Sequence, residues 1–92
     1  NLRQGLETLM NSGFVCIALT PDPRAEDISD LSLEEDTPVA LLVGAEGAGL
    51  TPSTLKACTY KLRIPMSKNV DSLNVATAAA VGLFAIREAR RP

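Results

Sequence analysis

The amino-acid sequence predicts an α/β fold in which helices are layered on a parallel sheet. Three observations carry this expectation. Residues 14–19 (FVCIAL) and 39–43 (VALLV) are unbroken apolar runs of strand length, the pattern of strands buried on both faces. Apolar residues recur at helical spacing before the first run and again after residue 74. Glycine, proline and small polar residues punctuate the junctions between these segments. A chain of 92 residues allows one domain at most, with a modest core.

The elements follow in order. Leu2, Leu6, Leu9 and Met10 mark a first helix, which Asn11-Ser12-Gly13 stops. The first strand ends at Thr20-Pro21-Asp22-Pro23. Residues 24–38 are acidic and weakly periodic, and read as a surface connection with a turn of helix around Ile28 and Leu31. The second strand, 39–43, is expected to be buried and ends at Gly44. A short helix comes next: Thr51 caps it, Pro52 fits its first position, and Leu50 can staple to Leu55. Residues 60–64 (YKLRI) alternate, giving a third strand closed by Pro65. From Asn74 to Arg90 alanine and other helix formers dominate, with Val75, Ala79, Gly82, Leu83 and Ile86 along one face. The chain opens at Asn1, already in what reads as helix, so a piece of a longer domain is expected.

Composition narrows the chemistry. Cys16 and Cys58 have no metal-binding spacing and read as two reduced, buried thiols of a cytoplasmic protein. No apolar run reaches the roughly 18 residues of a membrane span, and no signal-peptide pattern is present. The sequence has no histidine, so imidazole provides neither base nor ligand, and no metal site is expected. Charge is unevenly spread: residues 1–50 carry a net −7 and residues 51–92 a net +5. A polyanion meeting the second half would suit this asymmetry, as would a solvated helix face.

Two segments concentrate candidate chemistry, each where an apolar run gives way to turn residues. Gly44-Ala45-Glu46-Gly47-Ala48-Gly49-Leu50-Thr51 resembles the phosphate loop G-x-x-x-x-G-K-[ST], but leucine stands at the lysine position and Glu46 would repel phosphate. Its glycines are also spaced wrongly for a dinucleotide fingerprint. A tight turn whose glycines permit close approach of a flat ligand fits better. Glu46 itself reads either as an exposed loop carboxylate or as an acceptor for backbone amides or an arginine. In the second segment Asn69, Asp71, Ser72 and Asn74 crowd one junction ahead of the last helix. A helix cap needs one such residue, so the surplus points to a lined pocket. The terminal Arg87, Arg90 and Arg91 are expected to form a solvated helix end that complements the dipole.

The runs Leu42-Val43-Gly44-Ala45-Glu46-Gly47-Ala48-Gly49-Leu50 and Ile64-Pro65-Met66 … Ser72-Leu73-Asn74-Val75-Ala76 are similar to the second and third signature motifs of the SpoU/TrmH RNA methyltransferases of the SPOUT superfamily. The resemblance extends over essentially the whole chain. It implies the C-terminal part of an α/β trefoil-knot methyltransferase domain with a parallel sheet, the segment after Ile64 threading an earlier loop. It also implies S-adenosylmethionine as cofactor, a homodimer, and methyl transfer to a ribose 2′-hydroxyl of rRNA or tRNA. By position, Leu42, Gly44, Gly47, Ile64, Met66 and Leu73 match cofactor contacts, and Glu46, Ser72 and Asn74 match the polar residues that support catalysis.

The family's first motif, an asparagine and an arginine thought to activate the ribose hydroxyl, has no counterpart here. Arg3 and Arg24 stand in the wrong context to replace it. Residues 1–92 are therefore expected to be the cofactor-binding part of one catalytic domain, inactive alone. Two other classes compete: a non-catalytic RNA-binding or dimerisation module that keeps the fold, and a nucleotide-binding domain, which Leu50 disfavours.

Overall fold

The computed structural model describes residues 1–44, 50–67 and 74–92. Helix α1 (Leu2–Asn11) begins with a capping box in which the Asn1 side chain accepts from the Gln4 amide at 2.9 Å and the Gln4 side chain reaches back to the Asn1 amine. Gly13, at φ +91°, turns the chain out of α1 in a conformation that favours glycine. There follow β1 (Val15–Leu19), β2 (Glu26–Asp27), a single 3-10 turn (Ile28–Asp30), β3 (Leu33–Glu34), β4 (Val39–Leu42), α2 (Pro52–Ala57), β5 (Tyr60–Arg63), α3 (Val75–Ala89) and β6 (Arg90–Arg91).

Four strands form a wholly parallel sheet in the order β2-β5-β1-β4, and β3 pairs in parallel with β6 in a separate ribbon. Helices cover both faces, and the alternation of side chains sorts the core between them. On the α1 and α2 face, Leu6, Cys16, Ala18 and Cys58 are buried, with Leu9, Ala40, Leu42, Leu50 and Leu55 packed against them. On the α3 face, Ile17, Leu19, Leu62, Ile86 and Ala89 are buried, with Leu41, Val43 and Ile64 against them. Within β1 the small residues Cys16 and Ala18 thus face α1 and α2, and the larger Val15, Ile17 and Leu19 face α3.

Most expected elements are present, with Thr51 capping α2 and accepting from the Thr54 amide. Three expectations are corrected. The acidic 24–38 stretch is no mere surface connection: Ile28, Leu31 and Leu33 are all buried in the α3-side core. Interleaved acids that face solvent hide this apolar triplet from a reading of the sequence. The 39–43 run, expected to be buried on both faces, is half-buried, because β4 is the outer strand among the described residues. Finally, Leu83 is 61% exposed. Gly82, Ile86 and Ala89 face inward instead, because a Cβ at residue 82 would lie 3.0 Å from methyls of both Leu19 and Leu41. The glycine sets which side of α3 meets the sheet. Residues 68–73, where threading after Ile64 was expected, lie outside the described residues.

Candidate functional site

The C-terminal ends of β4 and β5 flank β1. Ala18 pairs with Leu42 on one side and Lys61 on the other, so those two residues stand level, about 10 Å apart at the usual strand spacing. Past β1 the chain runs to β2, beyond β5, with the Thr20 amide donating to the Leu62 carbonyl at 2.9 Å. The ends of β4 and β5, carrying Gly44 and Ile64, therefore border the place where β1 leaves the sheet. Strand ends of this kind are where open α/β sheets receive ligands.

The expected site residues fall into three groups. Leu42 packs into the α1 and α2 layer, so its side chain is engaged in the core and its backbone is the part that borders the sheet end. Gly44 is half-buried, and Ile64, like Val43, is half-buried in the α3-side layer. Met66 is exposed. Together Val43, Gly44 and Ile64 give an apolar, backbone-accessible edge, suited to the flat face of a nucleoside. Glu46, Gly47, Ser72 and Leu73 lie outside the described residues.

Asn74 is the N-cap of α3: its Oδ1 accepts from the Thr77 amide at 2.8 Å, and its carbonyl accepts from Ala78. A cap uses the oxygen alone. The amide nitrogen carries two donors with no partner among the described residues, and it sits at the positive end of a 15-residue helix. Capping and ligand binding are thus compatible in one side chain.

The charged residues nearby are mostly occupied. Arg24 donates through Nη2 to Asp22 at 2.9 Å, and this bond holds the Asp22 carboxyl below the ordinary carboxylate range. Asp27 is likewise lowered, first by the Ser29 amide that donates to it. Arg3 pairs with Glu7 on α1. Arg63, directly before Ile64, donates through Nε to the Ala25 carbonyl at 3.1 Å and fastens β2 to the sheet end. Cys16 and Cys58 are free and buried, and burial pushes both thiols up.

Two open grooves flank this arrangement. One of about 400 Å³, bordered by Thr20, Arg24, Leu55 and Lys61, lies on the α2 side of β5. The other, about 600 Å³, opens at the opposite pole between Glu34–Pro38 and Arg91. Among the described residues no group of three or more His, Cys, Asp or Glu could hold a metal ion.

Sequence reading missed Arg63 and Arg90. Arg63 gives no signal, since a strand arginine reads as solvated. Arg90, expected at a solvated helix end, instead donates to the carbonyls of Glu35 and Thr37. No local pattern announces bonds across more than fifty residues.

Comparison with known proteins adds three findings. The model of the SpoU rRNA Methylase family matches residues 1–84. An uncharacterized tRNA/rRNA methyltransferase of Mycobacterium bovis is 49% identical over 83 residues, covering 86% of this chain and 28% of that protein. A 23S rRNA (guanosine-2′-O-)-methyltransferase, RlmB, of a Burkholderia species is 40% identical over 89 residues, covering 96% of this chain and 35% of the relative. The chain thus spans about a third of the length of these curated relatives. Among solved structures, the TrmH/SpoU tRNA modifying enzyme of A. aeolicus superposes with a TM-score of 0.82 at 27% identity, covering 96% of this chain and 44% of that one. The SpoU methyltransferase AviRb of Streptomyces viridochromogenes, in complex with AdoMet, gives 0.72 at 31% identity, covering 95% and 33%.

Proposed function

Since the chain belongs to the SpoU rRNA Methylase family, we propose that it is the cofactor-binding part of an S-adenosylmethionine-dependent RNA methyltransferase acting on a ribose 2′-hydroxyl of rRNA or tRNA. Its fold is the α/β, parallel-sheet C-terminal part of a SpoU/TrmH methyltransferase domain. The observation that carries the reading is the placement of Gly44 and Ile64 at the ends of the two strands that flank β1, with Asn74 opening the helix that follows.

The residues present fit an adenosyl group: an apolar edge, a glycine backbone that a ring can approach, and an amide donor. When bound, the cofactor supplies an electrophilic methyl on a sulfonium. The chain's own work is positional. Ile64 and Val43 exclude water, Gly44 admits the ligand to backbone contact, and the Nδ2 of Asn74 orients an oxygen. Holding the reacting groups in line supplies much of the rate in such a transfer. In this reading activation of the ribose hydroxyl belongs to the arginine of the family's first motif, for which residues 1–92 show no counterpart; Arg3 and Arg24 are paired with Glu7 and Asp22. Glu46 and Ser72 complete the site in this reading.

The protein acts as a homodimer in the cytoplasm. The exposed apolar side of α3, with Leu83 and Phe84 both above 60% exposed, supports self-association. The free thiols suit a reducing compartment.

Calorimetry of the full-length protein with S-adenosylhomocysteine, against ATP as control, tests the reading. Adenosyl binding without ATP binding is expected; no adenosyl binding sinks it. Methyl transfer to rRNA or tRNA should give an alkali-resistant linkage, because the 2′-oxygen is blocked. Cofactor binding without transfer to any RNA would favour the non-catalytic module instead. Residues 1–92 alone should transfer no methyl group.

A further inference from the structure

Elements β4 and α3 carry the two described ends of the site, Gly44 and Asn74, and they run in opposite directions across the sheet. Mid-way they touch at Gly82 and Leu41. At the far pole, where β4 begins and α3 ends, Arg90 joins them. Its Nη1 donates to the Glu35 carbonyl at 2.9 Å and to the Thr37 carbonyl at 2.7 Å, two residues before β4 starts. The backbone is held there too, since β6 pairs in parallel with β3, Leu33 with Arg90 and Glu34 with Arg91. The Pro38 carbonyl, in turn, accepts from Val15 at the start of β1. From the geometry we infer that Arg90 is a positioning residue: it sets the register of α3 against β4, and so the placement of Asn74 against Gly44.

Three features separate this role from an ordinary helix-end charge. The bonds of Arg90 span 53 and 55 residues, whereas those of Arg91 go to Glu88 and Arg90 and complement the helix end locally. Arg90 is half-buried, while Arg91 is exposed. One guanidinium nitrogen serves two carbonyls on a single loop, so a displacement of α3 along its axis lengthens at least one bond. Residue 90 also lies beyond the 1–84 stretch matched by the family model. The effect at a distance needs no special path. A helix of 15 residues is a rigid rod of about 22 Å, and small misplacements of positioning groups are costly to binding and rate.

The inference rests on reading the site as a cofactor pocket, and the test keeps the two apart. Affinity for S-adenosylhomocysteine is measured by calorimetry on full-length protein, well below the unfolding midpoints, for wild type, Arg90→Ala, Arg91→Ala and Leu9→Ala. Leu9 packs on the α1 side and serves as a control for general loss of stability. Arg90→Ala should bind about tenfold more weakly, while Arg91→Ala and Leu9→Ala bind as wild type. Wild-type affinity in Arg90→Ala, or an equal loss in either control, overturns the inference. Should Arg90→Ala fail to fold, Arg90→Lys takes its place, because the lysine side chain is a bond shorter and its ammonium stops short of the position from which Nη1 serves both carbonyls. It should lose part of the affinity, and undiminished binding overturns the inference equally. No binding by the wild type, in contrast, refutes the cofactor reading itself.

Discussion

Where β1 and β4 begin, segments distant in sequence are tied by long-range bonds: Arg90 to Glu35 and Thr37, β3 to β6, and Val15 to Pro38. Where β4 and β5 end, Arg63 likewise ties β5 to the Ala25 carbonyl, but Asn74, Gly44 and Met66 leave capacity open. Asn74 caps its own helix and keeps two amide hydrogens, Gly44 offers backbone alone, and Met66 is exposed. One pole uses its donors to fix the frame, and the other holds donors and surface in reserve. A binding pole can be sparse in this way only if another part of the molecule holds its elements still.

The frame itself is the place to break both poles at once. Ile17 is fully buried at the middle of β1, under α3. Ile17→Ala should cost the full-length protein about 3–4 kcal/mol, transfer and cavity terms together, in denaturant unfolding. A loss below about 1 kcal/mol would mean that the α3-side core collapses around the gap and does not brace the poles.

Asn74 sharpens the contrast at the binding pole, because its two roles can be separated. Asn74→Ala removes cap and donor, lowering stability by about 1 kcal/mol. Asn74→Asp keeps a capping oxygen and loses the Nδ2 donor. Its unfolding midpoint should stay close to wild type, while single-turnover methyl transfer falls about a hundredfold, the scale of one oriented donor. Full activity in Asn74→Asp would reduce the residue to a cap.

These roles were unequally legible in the sequence. Unbroken apolar runs announced β1 and β4, and Thr51-Pro52 announced α2, because those signals are local. The caps at Thr51 and Asn74 are local as well, and the latter was already a candidate site residue, whereas Asn1, read as already within a helix, is the N-cap of α1. The frame was not legible. Ile28, Leu31 and Leu33 sit among acids whose charge dominates the reading of that stretch, and their burial depends on α3 lying over them. Arg90 looks like any helix-end base until the Glu35–Thr37 loop is brought beside it. Leu83 fits the apolar face of α3 by period, yet Gly82 faces the sheet, where Leu19 and Leu41 approach too closely for a Cβ. Local chemistry writes the binding pole, and tertiary packing writes the brace.

Gly82 allows a smaller test of how the two poles are coupled through α3. Gly82→Ala improves helix propensity by roughly 0.5–1 kcal/mol but drives a methyl into two leucine side-chain ends. Overpacking of that kind costs about 1–3 kcal/mol, so the net change should be a destabilisation near 1 kcal/mol. With α3 lifted from Leu41, cofactor affinity should weaken with it. A variant more stable than wild type would show that the leucine ends yield freely and that α3 is not seated by the glycine.

The smallest effect concerns pH, and it lies between the poles. The carbonyls that receive Arg90 do not titrate, so the brace should be indifferent to alkali. The middle of the sheet should not. Burial raises both thiols; at Cys58 the neighbouring Cys16 adds to the rise, against a smaller opposing pull from Lys61. In the unfolded chain both thiols ionise near the ordinary value of about 8.5, whereas the folded protein holds their protons to higher pH. Above that value the folded state binds more protons than the unfolded one, so stability falls as pH rises toward the folded-state values, and is fully present below it. Denaturant midpoints followed from pH 7 to 10 should therefore decline more steeply in wild type than in the Cys16→Ala/Cys58→Ala double variant. Parallel profiles would mean that other groups set the alkaline limit, and that neither the poles nor the thiols between them respond to it.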